Sequence, residues 1–133
     1  MKKVMTQEKV DCVREKLKCS HSVIRSICGL SEKTYAQLLS FSWGETRKTS
    51  FGLRLEKLLA VVDFLLEKRQ IDDLNLICRS MVAPRFPLLD GTYVDVASGI
   101  HMGYSIPMLI VVADFVFDDL QRSRVDQSPI RCI

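Results

Sequence analysis

Residue types that carry out acid–base, metal or nucleophilic chemistry are few and scattered along this chain. Its two histidines, His21 and His101, lie far apart, and neither has cysteine or carboxylate neighbours at the spacing of metal ligands. The carboxylate pairs Asp72–Asp73 and Asp118–Asp119 are sequence neighbours, so on a helix they point to different faces and do not form a catalytic dyad. We therefore expect a protein that is not an enzyme, with no catalytic residue, no metal site and no cofactor.

The cysteines indicate a reducing compartment. There are five of them, an odd number with no CxxC pair, which fits neither a zinc site nor a disulfide framework. Cys28 and Cys78 are interpreted as small buried hydrophobic residues. Charges resume at Glu8, before any apolar core of signal-peptide length. The uncharged stretch 96–113 contains glycines and a proline, so we expect no membrane span and a cytoplasmic protein.

Charge is distributed unevenly between the two halves of the chain. Residues 1–70 carry 14 Lys+Arg and 8 Asp+Glu, whereas residues 71–133 carry 5 Arg, no Lys and 8 Asp. A basic half can bind phosphate, and an acidic half is repelled by it. A chance fluctuation on a solvated surface is the alternative. The asymmetry favours a DNA-binding region with a long core helix in 1–70 and a partner-binding or dimerisation region in 71–133.

Two short helices separated by a glycine turn are predicted near the amino terminus. In the segment SHSVIRSIC, apolar residues fall on one helical face, and Gly29 can take the positive φ that ends a helix. Ser31 can then cap a second helix, EKTYAQLLSF, with Tyr35, Leu38 and Leu39 facing inward. This order is typical of a helix-turn-helix, although a helical hairpin without a DNA role remains open.

The remaining elements predict an all-α fold: a small helical domain whose helix-turn-helix is followed by a long amphipathic helix and a C-terminal helical segment. Leucines and valines recur at helical period over 50–68, as core or as a subunit interface. Residues 83–99 contain prolines and glycines and predict a turn-rich segment with one helical turn at Tyr93–Ala97. The segment MLIVVADFVFDDLQ fits a helix better than a buried strand. Its inward residues would be Leu109, Val112, Phe115, Val116 and Leu120.

The amino-terminal turns of a second helix in this motif enter the major groove of DNA, and here they carry polar side chains. Lys33 can reach guanine or phosphate, and Gln37 can pair with adenine. Ser31 and Thr34 can bind phosphate oxygens. The flanking cations Arg25, Arg47 and Lys48 would add contacts that are independent of sequence. Double-stranded DNA, bound by a homodimer at a short palindrome, is therefore the expected partner.

Several short motifs resemble the Xre-like (MbcA/ParS-type) antitoxins of RES toxin–antitoxin modules. The likeness spans about residues 20–100. In the first half it rests on Gly29-Leu30-Ser31, Thr34, Ser50 and Arg54-Leu55. In the second half it rests on Pro84, Leu89, Asp90-Gly91-Thr92 and Val94-Asp95-Val96.

This resemblance implies a dimeric all-α antitoxin that represses its own promoter and neutralises a toxin. The toxin-facing surface would then lie in the turn-rich segment, with the candidate partner-binding residues Pro84, Leu89, Asp90, Gly91, Tyr93 and Asp95. The alternative is a helical interaction module, such as an inhibitor or adaptor, that docks through its C-terminal part without binding DNA.

Overall fold

Helices make up most of the structure, which confirms the predicted all-α fold class. The computed structural model describes the backbone of residues 3–126 and the side chains of residues 3–123. The helices are α1 (Thr6–Leu17), α2 (His21–Cys28), α3 (Glu32–Leu39), α4 (Trp43–Thr46), α5 (Ser50–Asp63), α6 (Leu74–Met81), α7 (Val96–His101) and α8 (Ile106–Asp126). A π-helical turn, Phe64–Lys68, continues α5, so the long helix covers the predicted range 50–68. Two short strands, β1 (Phe86–Pro87) and β2 (Tyr93–Val94), pair antiparallel.

Side-chain caps explain where several of the helices begin. Each capping oxygen accepts a hydrogen bond from a backbone N–H three residues further on, which satisfies a donor left free at the helix start. The caps are Ser31 for α3, Ser42 for α4, Thr49 for α5, Asp73 for α6 and Asp95 for α7. The order of short capped helices therefore follows from local sequence.

The long helix α5 is the centre of the core. It packs against α1, α2, α7 and α8, and its residues Leu58, Val61, Val62 and Leu65 are fully buried. Leu55 of the predicted stripe is also buried, whereas Leu59 and Leu66 are only partly buried. Because α1 packs on α6 and α2 packs on α7, residues from both halves of the chain share one hydrophobic core.

The C-terminal segment is helical, so the strand alternative for it is wrong. The inward orientation predicted for Phe115 is also wrong. The centre of the buried stripe lies nearer Ala113 and Phe117, both almost fully buried, and Phe115 remains 36% exposed at its edge. Its ring makes an edge-to-face contact with Phe86 of β1, at 5.4 Å between centroids.

The turn-rich segment contains a small hairpin that the periodicity did not indicate. A helical turn was predicted at Tyr93–Ala97, but Tyr93 lies in β2 and the helix begins only at Val96. Cys78 also differs from its interpretation as a buried residue, since it is half-buried. Within the described residues, no helix is both long enough and apolar enough to cross a membrane.

The amino-terminal segment fastens the connection between α3 and α4 to the rest of the fold. The backbone N–H of Trp43 donates to the carbonyl of Val4 at 2.7 Å, and that of Thr6 donates to the carbonyl of Phe41 at 2.9 Å. The fully buried hydroxyls of Thr6 and Thr46 are hydrogen-bonded at 2.6 Å. The polar atoms of this junction are therefore paired inside the protein, which fixes the end of α3.

Candidate nucleic-acid interface

The turn between α2 and α3 is closed by backbone hydrogen bonds. Gly29 has φ 70°, in the left-handed region that glycine adopts without strain. Its N–H donates to the carbonyl of Ser26, and the N–H of Leu30 donates to that of Arg25, both at 3.2 Å. This is the Schellman arrangement, and it ends α2 as the sequence predicted.

Arg54 of α5 forms a hydrogen bond with the end of α2, next to the same turn. Its guanidinium donates a hydrogen bond of 2.8 Å to the carbonyl of Cys28, the last residue of α2. A cation at this position satisfies a free carbonyl and interacts favourably with the negative end of the helix dipole. Arg54 belongs to the Arg54-Leu55 motif, but the sequence indicates no role for it because its partner lies in an element distant in sequence.

A contact between His21 and Tyr35 joins the first turn of α2 to α3. The Nδ1 atom of His21 and the hydroxyl of Tyr35 are 2.8 Å apart and hydrogen-bonded. The Tyr35 ring also contacts Phe51 of α5 edge to face, at 6.1 Å between centroids. Burial raises the pKa of the Tyr35 phenol to about 12. Tyr35 therefore faces inward as predicted and fixes the orientation of α3.

The opposite face of α3 is open to solvent and carries four of the predicted DNA-binding residues. Lys33 and Gln37 are exposed, as are Ser31 and Thr34 at the start of the helix. The Ser31 hydroxyl accepts a hydrogen bond from the backbone N–H of Thr34 at 3.2 Å and donates to its hydroxyl at 3.0 Å. The structure thus brings these four side chains together on one short helix, with the two hydroxyls already paired.

Arg25 lies beside this face but is not a free cation. Its guanidinium is 3.8 Å from the carboxylate of Glu32, which is almost fully exposed. Arg25 lines an open cleft between α2 and α3, together with His21, Tyr35 and Leu39. A phosphate contact by Arg25 would have to compete with Glu32.

Arg47 and Lys48 are exposed on the connection between α4 and α5, an element separate from α3. Their backbone position depends on Gly52 in the first turn of α5. A Cβ atom at Gly52 would lie 2.1 Å from the carbonyl oxygen of Thr46 and 2.5 Å from the Cα of Arg47. Only glycine allows this approach, so Gly52 sets where the two cations project.

Two of the predicted partner-binding residues lie in a shallow apolar groove on the C-terminal half. Pro84 and Tyr93 line this groove with Pro87 and Phe115, and the last two were not predicted as site residues. An ion pair between Arg85 and Asp119, at 2.9 Å, lies at its rim. Tyr93 is 62% exposed at this groove.

The other four predicted partner-binding residues lie outside the groove. Leu89 and Gly91 (φ 88°) are exposed in the hairpin turn. Asp90 accepts hydrogen bonds from the Thr92 N–H and hydroxyl, at 3.0 and 2.6 Å, which lower the pKa of its carboxyl group. Asp95 accepts from the N–H of Ser98 at 2.7 Å and caps α7. The two carboxylates therefore have structural partners within the loop.

His101 is a further residue that the sequence gave no reason to place near the turn. Its Nδ1 lies 3.4 Å from the position that a Cβ on Gly29 would occupy. The end of α7 therefore lies against the turn between α2 and α3. The position of His101 depends on the packing of α7 against α2, which the local sequence does not indicate.

Within residues 3–123, no three histidine, cysteine or carboxylate side chains are grouped so that they can hold a metal ion. Comparison with protein-family models, with curated proteins and with solved structures gives no significant match. The function of the exposed α3 face is therefore argued from its chemistry and from the short motifs of the sequence.

Proposed function

We propose that this protein is a cytoplasmic, DNA-binding transcriptional regulator that inserts the amino-terminal turns of α3 into the major groove. The observation that carries the proposal is the joint exposure of Ser31, Lys33, Thr34 and Gln37 on a helix held by a closed turn. Half-buried hydrogen bonds of Tyr35 with His21 and of Arg54 with Cys28 hold α3 and the end of α2 in place. A helix fixed in this way can present side chains to base edges without first being ordered.

The side chains of this face divide into two kinds of contact. Gln37 can donate to and accept from the adenine edge, and Lys33 can donate to guanine or to phosphate. The Ser31 hydroxyl donates its proton to the Thr34 hydroxyl, and Thr34 keeps its own proton to donate to a phosphate oxygen, a contact that positions the helix without reading sequence.

The positive charge needed for DNA affinity must come largely from residues outside α3. Lys33 is the single cation of α3. Affinity would therefore depend on Arg25, Arg47 and Lys48, and on a homodimer that doubles the contacts at two half-sites. The salt dependence of binding should reflect these contacts.

We further propose that the regulator is an antitoxin, which represses its own promoter and binds a partner toxin through the C-terminal half. Two features support this step: the motif resemblance described above, and the exposed groove of Pro84, Pro87, Tyr93 and Phe115. The groove is formed by β1, β2, α8 and the residues just before β1, so none of its lining residues belongs to α2 or α3.

The test is selection of double-stranded DNA from a random pool, followed by affinity measurements on the enriched sequence and on a scrambled one. We expect Gln37→Ala to weaken the enriched site about tenfold and to leave scrambled DNA unchanged. Lys48→Ala should weaken both and lower the salt slope by about one. Lys68→Ala, an exposed lysine at the end of the long helix, is the matched control. Salt-insensitive binding, or no enrichment at all, would refute the proposal.

The groove also favours a second candidate, an interaction module without DNA affinity. In that case a partner protein should bind the Lys33→Ala and Arg47→Ala variants as well as the parent chain, while Tyr93→Ser loses it. Selection from the DNA pool would then enrich nothing.

A further inference from the structure

The apolar groove of the C-terminal half continues into a polar pocket. The groove has a volume of about 420 Å³, and the pocket, which lies between α6 and α8, has a volume of about 240 Å³. Arg85 lines both cavities, so they are adjacent parts of one surface. Prolines and aromatic rings line the groove, whereas Asn75, Arg79 and Ser123 line the pocket. One ligand can therefore contact apolar and polar groups of this surface at the same time.

The pocket contains a guanidinium group that is available to a ligand. Arg79 is exposed on α6, and its side chain forms no hydrogen bond or ion pair with any residue that the structure describes. Asp73 lines the same pocket, but its carboxylate accepts a hydrogen bond from the N–H of Leu76 at 3.0 Å and caps α6. Arg79 can therefore donate to an anionic group that enters the pocket.

Arg85 supplies a second donor at the junction of the two cavities. Its Nη1 donates to the carboxylate of Asp119 at 2.9 Å and to the hydroxyl of Ser123 at 3.0 Å, which hold the side chain in position. Its Nη2 has no hydrogen-bond partner within residues 3–123. The guanidinium is thus already oriented and still has a donor for a ligand.

We propose that the groove and the pocket together bind one segment of a partner protein, in which an aspartate or glutamate lies close to an aromatic or large aliphatic residue. The carboxylate accepts hydrogen bonds from Arg79 and from Nη2 of Arg85, and the apolar side chain packs on Tyr93 and Phe115. Since this segment occupies the groove already assigned to a toxin, the proposal rests on the proposed function and specifies the chemistry of that partner.

The charges of this surface favour a carboxylate over a phosphate. Asp73 and Asp119 line the two cavities, so they repel a group with two negative charges more strongly than a group with one. Residues 71–133 also carry 8 Asp against 5 Arg, which disfavours a nucleic acid. Tyr93 and Phe115 are 62% and 36% exposed, and aromatic side chains are enriched in surfaces that bind proteins.

The test is selection of random heptapeptides displayed on phage by the immobilised full chain, followed by fluorescence anisotropy of an enriched peptide. We expect a consensus in which Asp or Glu lies near an aromatic or large aliphatic residue. Arg79→Gln should weaken binding of this peptide about tenfold, and so should Tyr93→Ser. A peptide in which the acid is replaced by its amide should bind the parent chain and Arg79→Gln equally, because the charged contact is then already lost.

Arg47→Gln is the matched control, since Arg47 is an exposed arginine in the other half of the chain. It should bind the peptide as the parent chain does and weaken DNA binding, whereas Arg79→Gln should leave DNA binding and the melting temperature unchanged. A consensus without an acidic residue, a basic consensus, or no enriched peptide would overturn the proposal. If DNA is still selected in that case, the regulator stands without this docking site, so the two failures are distinguishable.

Discussion

The guanidinium of Arg54 and the carbonyl of Cys28, 2.8 Å apart, connect the central helix of the core to the carboxyl end of α2. The bond matters because the carbonyls at a helix end have no partner within their own helix. His101 lies beside the same turn: a Cβ on Gly29 would be 3.4 Å from its Nδ1 and 3.9 Å from the Arg54 guanidinium. The turn that orients α3 is therefore held by residues from α5 and α7, and its geometry depends on the whole fold.

Replacing Arg54 by methionine should destabilise the protein while keeping the aliphatic stem of the side chain. The lost bond is charge-assisted and half-buried, so we expect the free energy of unfolding to fall by about 1 to 2 kcal/mol. Urea unfolding followed by circular dichroism measures this change. Lys57→Met, a half-buried cation on the same helix, is the control and should change stability much less. An equal effect of the two substitutions would mean that the bond to Cys28 contributes nothing.

Gly52→Ala should be among the most damaging single-methyl additions in this chain. The new Cβ would lie 2.1 Å from a backbone oxygen, so the start of α5 must move away from Arg47. We expect a loss of about 3 kcal/mol in the free energy of unfolding.

The matched control for this change is Gly44→Ala in α4. The nearest atom to a Cβ there is the Ser42 hydroxyl oxygen at 4.0 Å, so the methyl group fits. Alanine also favours helix over glycine, and stability should stay the same or rise by a few tenths of a kcal/mol. Thermal melts of both variants side by side separate the two expectations, and equal melting temperatures would exclude the close approach at Gly52.

Stability should fall at alkaline pH because two buried acids resist ionisation in the folded state. Burial raises the pKa of Cys28 from 9.0 to about 12 and that of Tyr35 from 10.0 to about 12. Between these values the unfolded chain has lost protons that the folded chain retains, so rising pH favours unfolding. The stability that these two protonated groups provide is fully present below their unfolded pKa values and is lost as the pH approaches about 12.

The variant Cys28→Ala with Tyr35→Phe tests the origin of this pH dependence. It should be less stable at neutral pH, because it loses the hydrogen bond with His21 and some core volume. Its free energy of unfolding should nevertheless decline less steeply with pH than that of the parent chain. Urea titrations at several pH values on either side of the unfolded pKa values give the two slopes, and identical slopes would contradict the assignment.

Features carried by local chemistry could be predicted from the sequence. Ser31 caps α3, Gly29 ends α2 with a positive φ, and the stripe of 50–68 faces the core. Each depends on residues within one or two turns of one another, where backbone geometry and helical period act directly.

Features that depend on contacts between distant elements could not be predicted. The role of Arg54 requires α5 to pack against α2, so that its guanidinium reaches the carbonyl of Cys28. Phe115 lies at the edge of the buried stripe, where its ring contacts Phe86 of β1, and a strand of two residues has no periodic signal. On the candidate site, exposure of α3 followed from its amphipathic pattern, whereas the pairing of Arg25 with Glu32 did not.

The buried hydroxyls of Thr6 and Thr46 allow a double-mutant cycle at the junction that holds the end of α3. Both residues are fully buried, and their hydroxyls are 2.6 Å apart. Thr46→Val removes one hydroxyl and leaves that of Thr6 without its short-range partner, with only a weaker contact of 3.4 Å to the Ser42 carbonyl. We expect this single change to lower the free energy of unfolding by about 1 to 2 kcal/mol.

The double variant Thr6→Val with Thr46→Val removes both polar groups at nearly constant volume, so no hydroxyl is left unpaired. It should therefore be less destabilised than the sum of the two single variants, with a coupling of about 1 kcal/mol. Urea unfolding of the four proteins gives the coupling free energy. Strict additivity would mean that the two hydroxyls do not interact, and that the backbone bonds of Val4 and Thr6 alone fasten the α3–α4 connection.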